Sequence, residues 1–111
     1  MRNVSPPLVP AFDVTVYLVL DDFGKLGRAY VETSEADADK ETVTRHLIEG
    51  QYNNPQHVVA FNTAEGWARD VSEDIAREVR NRAEARGEEL PLAARDFLER
   101  HLGSNLPAWM R

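Results

Sequence analysis

Between Phe12 and Leu20 strongly and weakly apolar residues alternate without a break: Phe12, Val14, Val16, Leu18 and Leu20 fall on one face, and Asp13, Thr15, Tyr17 and Val19 on the other. A period of two is the signature of a half-buried β-strand, and the larger apolar set assigns the even positions to the core. Asp21-Asp22-Phe23-Gly24-Lys25-Leu26-Gly27 supplies turn residues, and Arg28 to Thr33 follows as a second short strand, so the two predict a hairpin. With Asp22 opposite Gly27, Leu20 opposes Ala29, Leu18 opposes Val31 and Val16 opposes Thr33. The outward face of this hairpin then carries Thr15, Tyr17, Val19, Tyr30 and Glu32.

Helical spacing takes over afterwards. Ser34 is a candidate N-cap followed by acids that suit a first turn, and Val43, Leu47 and Ile48 make a narrow apolar stripe in a helix that runs to about Glu49, with Gly50 as its cap. Gln51 to Gln56 reads as a loop. His57 to Asn62 is a third strand, apolar on both faces around Val58 to Phe61. Asn62-Thr63-Ala64-Glu65 fits a capping box and predicts a second helix from about Ala64 to Ala85. Its buried face would hold Val71, Ile75 and Val79 with Ala68, Ala76 and Ala83, and its wet face Arg69, Glu73, Arg77, Arg80 and Glu84. Gly87 ends that helix, Pro91 opens a third with Leu92, Phe97, Leu98 and Leu102 as its stripe, and Gly103 closes it.

The predicted fold is α+β in the order ββαβαα, a three-stranded antiparallel sheet ordered 2-1-3 with helices packed on one face. Residues 12–103 form its single domain. Residues 1–11, which hold Pro6, Pro7 and Pro10, are expected to be a flexible Pro-rich leader, and residues 104–111 a short C-terminal tail.

Composition narrows function by exclusion. At 111 residues, 42% hydrophobic and 29% charged, the chain has the usage of an ordinary soluble domain. The formal charge of −6 makes a nucleic-acid partner a poor expectation. Val14 to Leu20 is the longest near-apolar run, far below the ~20 residues of a membrane span, so no membrane partner is expected. Prolines interrupt the N-terminus where a signal peptide needs an apolar stretch, and there is no cysteine, so a cytoplasmic location is expected. Eleven arginines against two lysines hint at a GC-rich, bacterial coding genome.

No catalytic constellation is legible. His46, His57 and His101 lack partners at metal-ligand spacing, and Asp13, Asp21 and Asp22 lack the alternating oxygens of a calcium loop. None of the serines sits in a nucleophile elbow, and Gly24-Lys25-Leu26-Gly27 joins strands instead of opening a helix, so no phosphate cradle follows. A non-enzymatic role without metal or cofactor is therefore favoured. The partner-binding candidates are Tyr17, Val19, Tyr30 and Glu32, an apolar stripe rimmed by charge that would recruit another protein or build a homodimer. They point to a small accessory or regulatory protein. The alternative is a small-molecule binder or small enzyme with Asn62, Thr63 and Trp67 as ligand residues at a strand-to-helix junction.

Overall fold

The computed structural model describes residues 15–31 and 39–103. The expected leader and tail, Phe12 to Val14, the Ser34 cap and Glu32 lie outside the described residues. Strand β1 spans Thr15–Asp22, β2 Arg28–Val31, helix α1 Lys40–Ile48, β3 Pro55–Asn62, β4 Trp67–Asp70, α2 Ser72–Arg86 and α3 Leu92–Leu102. The class is α+β with an antiparallel sheet and three helices, as the pattern predicts. The sheet, however, has four strands ordered β2-β1-β3-β4, so the chain order is ββαββαα.

The fourth strand arises where a helix start was expected. Asn62 Oδ1 does accept from the Glu65 N–H at 2.9 Å, as an N-cap would. Gly66 then takes a φ of +75° and donates its N–H to the Asn62 carbonyl at 2.8 Å, which turns the chain back on itself. Trp67 pairs with Asn62, Ala68 with Phe61, Arg69 with Ala60 and Asp70 with Val59. One helical turn looks the same in sequence whether it grows into a helix or closes a hairpin, and glycine in the left-handed region decides for the hairpin. Helix α2 starts ten residues after Asn62, at Ser72, whose N–H bonds Asp70 Oδ1 at 2.8 Å.

The larger correction concerns the phase of β1. Val19 is 1% exposed and Tyr17 packs against the core, whereas Val16, Leu18 and Leu20 are half-buried on the opposite face. The core face of the sheet is Tyr17, Val19 and Asp21 beside Val58, Ala60 and Asn62, with Val31 on β2. Small residues on this face let the helices approach closely: Ile75, Ala76, Val79 and Ala83 of α2, Val43 and Leu47 of α1, and Ala94, Phe97, Leu98 and Leu102 of α3 complete the core. Both faces of β1 are apolar enough to be buried, so alternation alone carried no phase. The hairpin register also shifts by one: a 3-10 turn at Gly24–Leu26 closes the loop, Asp22 pairs with Arg28 and Leu20 with Tyr30.

Helix α1 starts at Lys40 under an Asp39 cap, with Asp39 Oδ1 accepting from the Thr42 N–H at 2.6 Å. Leu92, expected in the stripe of α3, is 67% exposed, and Ala94 takes its place in the core. Ala68, expected on the buried face of α2, is exposed on β4.

Asp21 is the one charged side chain among the fully buried residues described, and its carboxylate is saturated by backbone. Oδ1 accepts from the N–H of Asn54 at 2.6 Å and of Asp22 at 3.0 Å, and Oδ2 from the N–H of Asn53 at 2.8 Å. This clasp ties the loop after α1 to the end of β1, where the β1–β3 register jumps by one residue at a bulge. Asp21→Ala leaves these donors without an acceptor and is expected to cost about 3 kcal/mol, with Asp21→Asn losing less. A urea-unfolding midpoint that stays at the wild-type value in Asp21→Ala would show that the clasp contributes nothing.

Candidate functional site

Residues that face one another across an antiparallel ladder share a face. The register therefore collects Val16, Leu18 and Leu20 of β1, His57, Val59 and Phe61 of β3, Tyr30 and Arg28 of β2, and Ala68 and Asp70 of β4 on the side of the sheet away from the helices. Val59 and Phe61 are half-buried like the three β1 residues, and Tyr30 is 50% exposed. The outcome is an apolar strip with polar ends. At one corner Arg28 Nε lies 3.6 Å from Asp22 Oδ2, and at another His57 Nδ1 lies 2.8 Å from Asp70 Oδ2.

Of the four residues expected to bind a partner, only Tyr30 stands on this face. Tyr17 and Val19 point into the core, a correction that follows from the inverted phase of β1, and Glu32 lies outside the described residues. Leu18, Leu20 and Phe61 take their place. Their bulk was visible in the sequence, but it argued for burial under the helices.

The residues Asn62, Thr63 and Trp67 stand at a hairpin, with no helix N-terminus beside them to hold an anion. Asn62 is buried, Trp67 packs against the core, and Thr63 is exposed. Trp67 Nε1 donates to Glu65 Oε1 at 2.6 Å, and the Arg69 guanidinium lies 4.8 Å above the indole. These contacts fix the turn.

A cluster that the sequence did not bring together lies where α2 begins and α3 ends. The His57 and His101 rings are 5.2 Å apart, Phe97 lies 4.6 Å from His101, and His101 Nε2 donates to the Gln56 carbonyl at 2.7 Å. Arg100 donates to the Pro55 carbonyl at 3.0 Å, and the Ser72 hydroxyl accepts from the Val58 N–H at 2.8 Å. Burial would raise the Asp70 pKa, but bonds from the Ser72 hydroxyl and N–H, with His57 opposite, hold it below the ordinary value. Asp70 thus stays ionised and accepts the His57 Nδ1–H. Through these contacts the cluster ties the start of α2 and the end of α3 to β3. The Asp70-Val71-Ser72 spacing, an acid two residues before the helix start, was the one sequence signal for it.

His46 is half-buried, with its ring 6.3 Å from that of Tyr52. Burial, reinforced by the Asp21 carboxylate, pushes the Tyr52 hydroxyl up to about 12. The two residues border a cleft of about 260 Å³ beside Asp21 and Val31. Among the described residues no group of three or more His, Asp or Glu side chains is placed to hold a metal ion, and no helix is long and apolar enough to cross a membrane.

Two measurements check these placements. Val19→Ala is expected to cost about 1–3 kcal/mol by opening a core cavity, whereas Tyr30→Ser stays within about 0.5 kcal/mol; equal losses in urea unfolding would return Val19 to the surface. Burial lowers the His101 pKa, against the opposing pull of the Gln56 carbonyl, with His57 and Arg100 lowering it further and Asp70 raising it. The unfolded chain then takes up this proton first. Stability attributable to His101 is complete above about 6.5 and is lost as pH falls through its lowered value. His101→Gln keeps a donor for Gln56 and is expected to flatten the decline of the urea midpoint between pH 7 and pH 5; an unchanged slope contradicts the assignment. No protein-family model, no curated protein and no solved structure matches this chain significantly.

Proposed function

We propose that the chain works as a small accessory or regulatory protein by protein–protein association through the open sheet face, with a second copy of itself as the first partner. The supporting observation is the strip Val16, Leu18, Leu20, Val59 and Phe61 with Tyr30 beside it, apolar residues gathered on the side of the sheet that no described helix covers. Apolar patches with charged rims are the usual form of protein-binding surfaces.

Electrostatics favour this face over the rest of the surface. Two copies at −6 each repel at long range, so contact needs a region poor in charge. The strip has none in its interior, and at two of its corners the Asp22 and Asp70 carboxylates are already engaged by Arg28 and His57. A twofold axis parallel to the sheet, lying midway between the two copies, would bring the strip onto its own image, with the two sheets ~10 Å apart. Four strands at ~4.8 Å spacing and at most eight residues at ~3.4 Å bound the face at roughly 500 Å² per copy. A pair then buries ~1,000 Å², the low end for specific interfaces, which predicts a reversible dimer.

Sedimentation over a concentration series tests the proposal. The wild type is expected to dimerise reversibly, and Leu18→Ser with Phe61→Ser to remain monomeric with the wild-type circular dichroism spectrum. Tyr30→Ser, at an exposed position, is expected to weaken the dimer if the double variant fails to fold. A wild type that stays monomeric at millimolar concentration removes self-association, and a dimer unchanged in these variants removes the sheet face.

A further inference from the structure

We infer that a cavity of about 560 Å³ at the junction of α2 and α3 binds a small ligand that carries a carboxylate together with a cationic side chain, of the class of free L-arginine or L-lysine. Glu84, Glu88, Glu89, Leu90 and Arg95 line it. This site is built from the helix layer and its connecting loop, without residues of the sheet face, so the two proposals stand or fall separately.

Arg95 carries the inference. Its Nε is shielded from solvent and has no hydrogen-bond partner, and no ion pair reaches its guanidinium among the described residues. Arg95 as a whole is half-buried, so the unmet demand lies at this one shielded N–H, and buried polar atoms in folded proteins almost always find an acceptor. The protein does have acceptors in the same cavity. Glu84, Glu88 and Glu89 do not close on Arg95, and Glu88 turns to Arg86 at 3.5 Å instead. One guanidinium and several carboxylates thus face a common space without joining across it.

The chemistry of the missing occupant follows from both walls. A planar guanidinium fork selects a carboxylate, which can take Nε–H and a terminal N–H together. A simple anion, however, would meet three carboxylates that line the same cavity, against Arg95 and the already engaged Arg86. The C-terminal end of α2 adds the negative end of its dipole, although the Ala83 and Glu84 carbonyls are capped by the N–H groups of Glu88 and Gly87. A simple cation would satisfy the acids and leave Arg95 as it is. Only a ligand with both groups answers both walls, and buried Leu90 offers apolar surface for the methylene stem between them. The volume lies within the ~300–1,000 Å³ of small-molecule sites.

Titration of the ¹⁵N-labelled chain with L-arginine, agmatine and pentanoate separates the possibilities, because agmatine lacks the carboxylate and pentanoate the cation. L-arginine is expected to shift the amides of residues 83–90 and Arg95, with agmatine at least about tenfold weaker and pentanoate silent. Arg95→Gln is expected to abolish the shifts and Arg95→Lys to weaken them, both with wild-type unfolding. Glu84→Gln with Glu89→Gln tests the opposite wall and should weaken L-arginine while sparing the fold. The inference is overturned if neither L-arginine nor L-lysine shifts these amides at tens of millimolar, if the shifts map elsewhere, if agmatine equals L-arginine, or if affinity survives in Arg95→Gln.

Discussion

A single buried carboxylate governs how this sheet meets its helices. Strand β1 can present either of two apolar rows to the core, and the row that wins contains Asp21, which without partners would be the worse choice by several kcal/mol. Three backbone N–H groups from Asp22, Asn53 and Asn54 remove that penalty, and the latter two come from the loop that leads from α1 into β3. The clasp therefore joins β1, the α1 exit and the start of β3 at one point. Around it the chain is laced further: the Asp22 N–H bonds the Asn54 carbonyl at 3.2 Å, and the Asn53 side chain donates to the Asp22 carbonyl at 2.6 Å. Inverting the phase of β1 would break all of this and place Leu18 and Leu20 where Val19 now fits under the helices.

That choice of phase also explains the half-buried apolar strip on the far face of the sheet. Because the smaller row is buried, the bulkier one is left for the opposite face, where Phe61 and Val59 join it by register. An apolar face that no described helix covers is thus the direct consequence of packing three helices on the other side of the sheet. The remainder of the electrostatic design sits away from the strip. Arg82 bridges α1 and α2 through Glu41 and Glu78 at 2.7 and 2.9 Å, and Arg77 pairs with Glu73 and Asp74 along α2. These are exposed or half-exposed pairs whose individual contribution is small.

Sequence pattern made the helices and most of the sheet legible because each has a local cause. Val43 and Leu47 on α1, Ile75, Ala76, Val79 and Ala83 on α2, and Phe97, Leu98 and Leu102 on α3 are buried as their spacing requires. What stayed hidden depended on distant partners. The phase of β1 rests on Asn53 and Asn54, more than thirty residues away in the chain, and the cluster at His57 on a histidine at the far end of α3. Strand β4 was lost for a different reason: Asn62 and Glu65 form the same first turn in a helix and in this hairpin, and only the conformation of Gly66 separates the two outcomes. The candidate surface suffered most, since its residues were assigned by the phase and not by the strands themselves.

Helix α3 reaches both surfaces of interest, and its hydrogen bonds to the sheet go to backbone carbonyls. Near its C-terminus Arg100 and His101 hold β3 through the carbonyls of Pro55 and Gln56, and one turn and a half earlier Arg95 faces the α2–α3 cavity. Bonds to backbone carbonyls survive when side chains change. Val59 and Phe61 can therefore vary with the demands of a partner without releasing α3 from the sheet. On the cavity side the same logic applies to the end of α2, whose last carbonyls are closed by the N–H groups of Gly87 and Glu88, with Gly87 in the left-handed region at φ +64°. The glutamates there are not needed to finish the helix. Apart from the Glu88–Arg86 pair, their carboxylates, like the strip on the sheet, are surface that the fold of the described residues does not consume.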